Sequence, residues 1–488
     1  MKSIHFAAVL AAGMAVATAP AVYAKPKKAT AVAAPVALAP ADQAVVLRDA
    51  ALKDNNAYEF VAALTTRFGA RPAGSASEKA AADWSVEQLK AMGFDNVRVE
   101  TFPLEIWQRG EEKLEIVGPF PQNLVATALG GSGTTPPGGV EAEAVLFETY
   151  QQFSASTVDL KGKIVVILQP TVATQTGVGY GANSGSIRRQ GPEIARQRGA
   201  VGYVMRSLGT HDHRFPHTGG TRFLGADGVP AMAISPPDAE QLERILKLQK
   251  EGQAGPIRLK MLSTPKFLGT GQSQNVIAEI TGAKRPQEII TIGGHLDSWD
   301  LGTGAIDDGA GVAITMAAAK TILDSKVRPD RTIRVVFWGS EEVSQPGDKG
   351  LSGANAYAAA YKAEFPNHII AAESDFGADV VYALSLPASD SPEFTKQVGN
   401  VLYPLGIYVD GAVSTGGGPD TSPLFSAGVP VMDLQQNGMD YFDTHHTPDD
   451  VLDRIDPAKV DQNVAAWAAT LWLIASTEVK FKGVAPKP

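Results

Sequence analysis

Five short segments of this 488-residue chain carry side chains that could bind a metal ion or move a proton. They contain, in order, His295 with Asp297, Asp307-Asp308, Glu341-Glu342, Glu373 with Asp375, and His445-His446. Each segment alone is a weak signal, because a lone histidine is usually structural and an acidic pair is usually solvated. Together, imidazole and carboxylate ligands without thiolate favour zinc or a similar divalent ion. Two carboxylate-rich groups favour two ions that share one bridging carboxylate.

The residues around these segments predict elements that would bring them together. Short apolar runs rich in β-branched residues precede three of the segments, at 289–292, 332–338 and 368–372, and a small-residue helix is predicted at 310–323. Strands that alternate with helices predict a mainly parallel sheet covered by helices on both faces. Ligands bind beyond the carboxyl ends of such strands, so we expect the five segments to meet there.

The composition limits the classes of function. Apolar residues make up 44% of the chain, as in a globular protein, and the length predicts two or three domains. The net charge is −9, and no basic cluster occurs beyond the N-terminus, which argues against nucleic acid and anionic membranes as partners. Cysteine is absent, so histidine, aspartate and glutamate must hold any metal.

The N-terminal residues have the pattern of a secretory signal. Lys2, an apolar run at 4–19 and the segment Val22-Tyr23-Ala24 predict a signal peptide over residues 1–24, with a buried N-terminal helix as the alternative. Residues 25–42, rich in Ala, Pro and Lys, predict a linker. The mature protein is therefore expected outside the cytoplasm, either secreted or in a bacterial periplasm.

The middle of the chain differs in composition from the rest. Between residues 123 and 268, Gly and Pro are dense and several short β runs occur. This change predicts a small β-rich domain inserted into a larger one. The expected division is a catalytic domain over 43–122 and 269–480, with the insert over 123–268.

Several of these motifs, taken in order, resemble one family. They are Gly293-Gly294-His295-Leu296-Asp297-Ser298-Trp299-Asp300, then Asp307-Asp308-Gly309-Ala310-Gly311, Glu341-Glu342, Glu373-Ser374-Asp375 and His446-Thr447, with Arg71-Pro72-Ala73-Gly74-Ser75 upstream. This series resembles the co-catalytic zinc exopeptidases of clan MH, most closely the carboxypeptidase Q group. Residues 160–165 and 199–203 are similar to a protease-associated domain. The resemblance implies the zinc exopeptidase fold, a mixed, mainly parallel sheet sandwiched by helices, with a protease-associated insert.

The resemblance also implies two zinc ions per chain and a set of ligands. His295 and Asp375 would bind one ion, and Glu342 and His446 would bind the other. Asp307 would bridge the two ions, and the peptide bond that follows it is expected to be cis.

Three further residues receive catalytic roles from the resemblance. Glu341 would be the general base, and Asp297 would hydrogen-bond the free imidazole nitrogen of the nearby histidine ligand. His445 would stabilise an oxyanion, with simple packing or solvent exposure as the alternative. Glu373 competes with Asp375 as a ligand, because strand alternation points both side chains the same way.

The implied reaction is hydrolysis of small peptides, expected to be dipeptides with free termini, by a metal-activated water. An aminopeptidase on longer peptides, a single-zinc glutaminyl cyclase-like acyltransferase and a binding protein on the same scaffold are the alternatives. Asp420 could receive a free α-amino group, although a turn or helix cap explains it equally well. His217 belongs to a loop that resembles pocket lining more than a third metal site. A homodimer is left open.

Overall fold

The structure is a computed structural model that describes residues 38–347, 349–414 and 416–482. Residues from Ala39 onward form one compact unit. The predicted signal peptide, residues 1–24, lies outside the described residues, and so does the predicted linker up to residue 37. The first helix begins at Pro40, so the last residues of the predicted linker are helical.

Helices and strands follow one another along the described residues. The helices are α1 (Pro40–Ala51), α2 (Asn56–Phe68), α3 (Ala76–Met92), α4 (Tyr150–Ala155), α5 (Val178–Asn183), α6 (Gly191–Gln197), α7 (Pro236–Lys250), α8 (Ala310–Asp324), α9 (Ser352–Ala360), α10 (Pro392–Leu402), α11 (Ser422–Ser426), α12 (Tyr441–Thr444) and α13 (Pro457–Ser476). The strands are β1 (Asp95–Gln108), β2 (Glu112–Gly118), β3 (Gln122–Leu124), β4 (Ala126–Ala128), β5 (Val140–Phe147), β6 (Ile164–Ile167), β7 (Gly202–Arg206), β8 (Ala231–Ile234), β9 (Arg258–Ser263), β10 (Lys266–Ile280), β11 (Arg285–His295), β12 (Arg331–Trp338), β13 (His368–Glu373), β14 (Val381–Ser385), β15 (Tyr408–Asp410) and β16 (Asp433–Gln436).

The central sheet has five strands in the order β1-β10-β12-β11-β13. Because β10 is antiparallel to both of its neighbours, the other four strands run in one direction. His295 pairs with Trp338, and Gly293 pairs with Glu373. The carboxyl ends of β11, β12 and β13 therefore lie side by side, as the sequence predicts.

Strands β11, β12 and β13 are buried on both faces of the central sheet, which is why they read as continuous apolar runs. On one face, Val335 and Phe337 pack with residues of α1, α2, α3, α8 and α13. On the other face, Val336 and Trp338 pack with residues of α9 and α11. The predicted fold class, a mixed and mainly parallel sheet between two helical layers, is confirmed.

A second sheet has eight strands in the order β3-β2-β9-β5-β6-β7-β8-β4 and lies between Glu112 and Ser263 in sequence. The chain reaches it through β1 and leaves it through β10, which pair as a long antiparallel ribbon. Strand β2 belongs to this sheet although it precedes residue 123, where we expect the insert to begin. The charged residues Glu112, Lys113 and Glu115 interrupt the apolar pattern of this strand, so the sequence does not predict it. The assignment to a protease-associated domain stays a prediction.

A third, three-stranded sheet has the order β15-β14-β16, and the sequence predicts only one of its strands, over residues 430–434. Its strands have three to five residues, too few for an alternating pattern to stand out. The strand expected near 430–434 is shifted, because β16 begins only at Asp433. Val431 forms a single bridge with Ala371 of β13 instead.

Helix ends follow local sequence signals. Ser75 caps α3 by accepting a hydrogen bond from the N–H of Glu78, and Gly93 ends the helix with φ +90°. The last helix, α13, is buried along most of its length. Among the described residues, no helix is both long and apolar enough to cross a membrane.

Candidate active site

The predicted site residues converge where the parallel strands of the central sheet end. The strand ends β11, β12 and β13, the turn before α8 and the turn after α12 contribute, in that order, His295, Glu341 with Glu342, Asp375, Asp307, and His445 with His446. All five predicted metal ligands are thus brought to one place.

The Asp307 carboxylate lies between two pairs of these ligands. Its Oδ1 is 3.2 Å from Nε2 of His295, which is 3.6 Å from Oδ1 of Asp375. Its Oδ2 is 3.0 Å from Nε2 of His446, which is 3.0 Å from Oε2 of Glu342. The peptide bond between Asp307 and Asp308 is cis, as the resemblance implies. The two pairs therefore lie on opposite oxygens of one carboxylate.

Hydrogen bonds of the two imidazoles direct Nε2 of both rings toward these carboxylates. Nδ1 of His295 is 2.9 Å from the carbonyl oxygen of Asp297, and Nδ1 of His446 is 3.3 Å from the carbonyl oxygen of Thr218. A carbonyl only accepts, so each Nδ1 carries a proton. Burial lowers the pKa of His446 to about 4, so this ring is neutral at pH 7. Its Nε2 lone pair then faces two carboxylate oxygens, which a cation between them would stabilise.

The carboxyl groups also fit a bound cation. Burial raises the pKa of Asp375 to about 6, although His295 lowers it. Burial, with the charges of Asp307 and Glu341, raises the pKa of Glu342 well above its usual range. Oδ2 of Asp307 and Oε1 of Glu342 are buried without a hydrogen-bond partner. Buried, unpartnered carboxylate oxygens are costly unless a cation satisfies them.

In Asp307 and His295, neighbouring side chains outweigh burial in setting the pKa. Burial alone would raise the pKa of Asp307, but the neighbouring His445, His295 and His446 hold it well below its usual range. Burial alone would lower the pKa of His295, but Asp297, Asp307 and Asp375 raise it well above its usual range. Asp307 is therefore ionised, as a carboxylate that binds a cation must be.

Two glycines allow the close approach of β11, α8 and β13. A Cβ on Gly294 would lie 2.5 Å from Oδ2 of Asp308, and a Cβ on Gly311 would lie 1.8 Å from the carbonyl oxygen of Ser374. Asp308 uses this space to accept hydrogen bonds from the backbone N–H groups of His295 and Gly311, both at 3.0 Å. The turn that presents the Asp307 carboxylate is thereby fixed to β11 and α8.

Asp297 supports the site in a way that differs from the expected one. Its carboxylate lies 3.6 Å from Nδ1 of His295, and its backbone carbonyl makes the shorter contact. The carboxylate instead accepts hydrogen bonds from the backbone N–H groups of Glu341 and Glu342, at 3.0 and 3.3 Å. Asp297 therefore positions the segment that follows β12.

His445 lies inside the site and is not exposed to solvent. Its Nε2 is 3.3 Å from Oδ2 of Asp307, and its ring stacks on His446 with centroids 3.6 Å apart. Its Nδ1 is 3.0 Å from Nε2 of His217, which lies in the segment between β7 and β8 of the second sheet. His217 is fully buried, so it lies in the wall of the site.

Glu373 and Asp375 occupy different places. Oε2 of Glu373 accepts a hydrogen bond of 2.7 Å from the backbone N–H of Asp420, whereas Asp375 faces His295. Asp420 is fully buried, and neither of its carboxylate oxygens has a hydrogen-bond partner. It does not cap α11, whose N-terminal residue is preceded by Thr421 without a side-chain cap.

Two contributors were missed by the sequence analysis. The indole Nε1 of Trp299 donates a hydrogen bond of 2.5 Å to Oε2 of Glu342. The carbonyl of Thr218 orients His446 from the second sheet's part of the chain. Trp299 lies in the motif at residues 293–300, but an indole by itself does not indicate a role in a metal site. A backbone carbonyl carries none at all.

Glu341 borders a cleft of about 620 Å³, which we call the Glu341 cleft. Burial raises the pKa of Glu341 to about 7, although His295 lowers it. The cleft is lined by Gly185, Arg189, Gln190, Gly220, Arg222, Glu341, Glu342, Ser344, Lys349, Gly350, Leu351, Pro419 and Ser422. Its size is that of a small-molecule site. A substrate in this cleft would lie beside the carboxyl group of Glu341.

Comparisons with known proteins agree with this geometry. The model of peptidase family M28 matches residues 275–471. Carboxypeptidase Q of Mus musculus is 32% identical over 425 residues, which cover 87% of this chain and 86% of that protein. Leucine aminopeptidase 2 of Arthroderma otae is 28% identical over 58% of this chain and 50% of that protein.

A solved structure is also similar over almost the whole chain. The peptidase M28 precursor from Shewanella amazonensis SB2B is 42% identical, with a TM-score of 0.85, and the match covers 92% of this chain and 99% of that chain. Fold, site residues and sequence identity thus agree. The chain belongs to peptidase family M28 and is a metallo-exopeptidase.

Proposed function

We propose that this peptidase uses two zinc ions to hydrolyse small peptides, and that dipeptides with free termini are its preferred substrates. The observation that carries the proposal is the Asp307 carboxylate, which has His295 with Asp375 at one oxygen and His446 with Glu342 at the other. When bound, zinc would supply the Lewis acidity that activates water and polarises a carbonyl.

Glu341 is the proposed general base. Its backbone is held by Asp297, and its carboxyl group borders the cleft with a pKa raised to about 7 by burial. A base with a pKa near the working pH transfers protons efficiently in both directions. Glu341 would take a proton from the attacking water and give it to the leaving amine.

His445 is proposed to stabilise the oxyanion of the tetrahedral intermediate. Nδ1 of His217 is buried without a partner, so the proton of that ring sits on Nε2, 3.0 Å from Nδ1 of His445. His445 then accepts at Nδ1 and carries its own proton on Nε2, on the side of Asp307. An N–H at this place can donate to developing negative charge.

Asp420 is proposed to receive the free α-amino group of the substrate. Both of its buried carboxylate oxygens lack a partner, and so does Oε1 of the neighbouring Glu373. Burial, followed by the charges of Glu373 and Glu341, raises the pKa of Asp420 well above its usual range. An ammonium group of the substrate would satisfy these oxygens.

A set of end-blocked peptides tests the substrate class. One dipeptide would be compared as the free, N-acetylated, C-amidated and doubly blocked compound, together with a tripeptide. We expect fast hydrolysis of the free dipeptide and a loss of at least tenfold in kcat/KM when either end is blocked.

An aminopeptidase acting on longer peptides is the second candidate, favoured by the similarity to leucine aminopeptidase 2. It predicts that the C-amidated dipeptide and the tripeptide are cleaved at least as fast as the free dipeptide. That result would replace the dipeptidase proposal.

Asp420→Asn tests the amino-group site. We expect KM for the free dipeptide to rise by about tenfold or more, because a charged hydrogen bond contributes about 1.5–3 kcal/mol. The free energy of unfolding should not fall, since a buried carboxyl group without a hydrogen-bond partner is removed. Asp433→Asn is the matched control, because burial alone raises the pKa of Asp433, to about 6. An unchanged KM in the Asp420 variant would contradict the assignment.

Location and assembly also remain predictions. We retain the proposal that residues 1–24 form a signal peptide and that the mature enzyme is secreted or periplasmic. N-terminal sequencing of the mature protein tests it, and a mature chain that still begins at Met1 would contradict it. The homodimer is tested by the mass of the enzyme in solution.

A further inference from the structure

Three cationic residues line the Glu341 cleft together with Glu341 and Glu342. Arg189 and Arg222 come from the part of the chain that builds the second sheet, and Lys349 comes from the loop after Glu342. All three residues are exposed. The lining of the cleft therefore combines two acidic residues, Glu341 and Glu342, with three exposed cationic ones.

Arg189 and Lys349 have no ion-pair partner among the residues that the structure describes. Arg222 is different, since it already has an interaction partner. Cations that line a cleft beside a reaction centre, without an internal counter-ion, are available to an anionic group of a ligand. Arginine is well suited to this, because its planar guanidinium can bind a carboxylate through two parallel hydrogen bonds.

The backbone at Arg189 is held in place by the preceding residue, Arg188. Both residues lie in the π-helical turn Ser184–Gln190, and π-helical turns occur often at functional sites. The side chain of Arg188 is buried, and its Nη1 lies 2.5 Å from the hydroxyl of Tyr180 and 3.5 Å from the carbonyl oxygen of Thr218. Because Thr218 also holds His446, the turn that presents Arg189 is anchored to the metal ligands.

We propose that Arg189, assisted by Lys349, binds the free α-carboxylate of the substrate. The inference rests on the proposed dipeptidase function and deepens it by assigning the residue that recognises the C-terminus. The amino end of the dipeptide lies toward Asp420 and the carboxylate end toward Arg189, with the scissile bond beside Glu341. A C-terminal amide loses the charge that Arg189 recognises.

Arg189→Gln tests this assignment through the preference for a free C-terminus. The quantity measured is the ratio of kcat/KM for a free dipeptide to that for its C-terminal amide. We expect KM for the free dipeptide to rise at least tenfold with little change in kcat, while the amide is unaffected, so the ratio falls toward one. Lys349→Gln should lower the ratio less. Arg189→Lys should restore part of it.

Arg196→Gln is the matched control, because Arg196 is an exposed arginine paired with Glu193 outside the cleft. It should leave the ratio unchanged. If Arg189→Gln hydrolyses the free dipeptide with an unchanged ratio, the carboxylate assignment is overturned and the dipeptidase function stands. If the wild-type enzyme hydrolyses neither compound, the function and the assignment fall together.

Discussion

The Asp307 carboxylate faces a neutral imidazole at one oxygen without receiving a proton from it. Its Oδ2 lies 3.0 Å from Nε2 of His446, whose proton is held on the far side of the ring by Thr218. Two lone pairs at this distance repel each other unless a cation lies between them. The arrangement is therefore the strongest residue-level support for metal binding.

Glu341→Gln separates proton transfer from metal binding. Glu341 lies next to Glu342, a proposed ligand, but is not itself proposed as one, so the variant should keep its zinc. Turnover should fall by about 10² to 10⁴-fold, the contribution of a general base. Steady-state kinetics and metal analysis of the same sample measure both effects. Glu342→Gln, in contrast, should lose metal as well, and a near-normal rate for Glu341→Gln would remove the proposed base.

At the residue scale, the sequence predicts which residues form the site better than it predicts the contacts that hold them. The five proposed ligands could be named because histidines and carboxylates follow predicted strands and match a family motif. The support around them depends on backbone atoms, as when the carbonyl of Asp297, and not its carboxylate, binds His295. Thr218 lies more than 200 residues from His446 in sequence, and its carbonyl leaves no trace in residue type.

At the scale of elements, the site depends on close contact between the strand ends of the central sheet and the N-terminus of α8. Gly311, in the first turn of α8, lies against the carbonyl of Ser374, which follows β13. The predicted central strands and α8 agree with the structure because each is long and strongly apolar. Strands β2, β14 and β15 escaped prediction because they are charged or short.

Gly311→Ala should disrupt this junction. Its new Cβ would lie 1.8 Å from a backbone oxygen, so the helix or β13 must move, and we expect the free energy of unfolding to fall by about 3 kcal/mol or more. Zinc affinity should fall with it. Gly399→Ala in α10 is the control, since its nearest neighbour would be 3.6 Å away. That variant should gain about 0.5–1 kcal/mol, as alanine favours a helix over glycine. Chemical denaturation measures both, and equal stabilities would contradict this account.

At the scale of the whole molecule, two parts of the chain outside the central sheet contribute to the site. Residues of the second sheet's region supply Thr218, His217 and Arg189, so the catalytic centre is not contained in the central sheet alone. The segment before α3 contributes Arg71, which is fully buried. Its guanidinium donates hydrogen bonds to backbone carbonyls of Gly69, Leu296, Thr303 and Gly304.

Arg71→Met should loosen the loop between His295 and Asp307. Several buried carbonyls would lose their donor, and each unsatisfied group costs about 1–3 kcal/mol, so we expect a loss of at least about 3 kcal/mol in unfolding free energy. Activity should fall as well, because this loop carries Asp297. Arg67→Met, at an exposed position of α2, is the control and should change stability little. Thermal and chemical unfolding of the two variants decide the matter, and a stable, active Arg71 variant would refute the role.

X-ray diffraction from crystals of the zinc-loaded enzyme, recorded on both sides of the zinc absorption edge, tests the two-ion centre most directly. The account predicts two anomalous peaks that share Asp307, one beside His295 and Asp375 and the other beside Glu342 and His446. A single peak, as a one-zinc acyltransferase would give, or peaks away from Asp307 would contradict it.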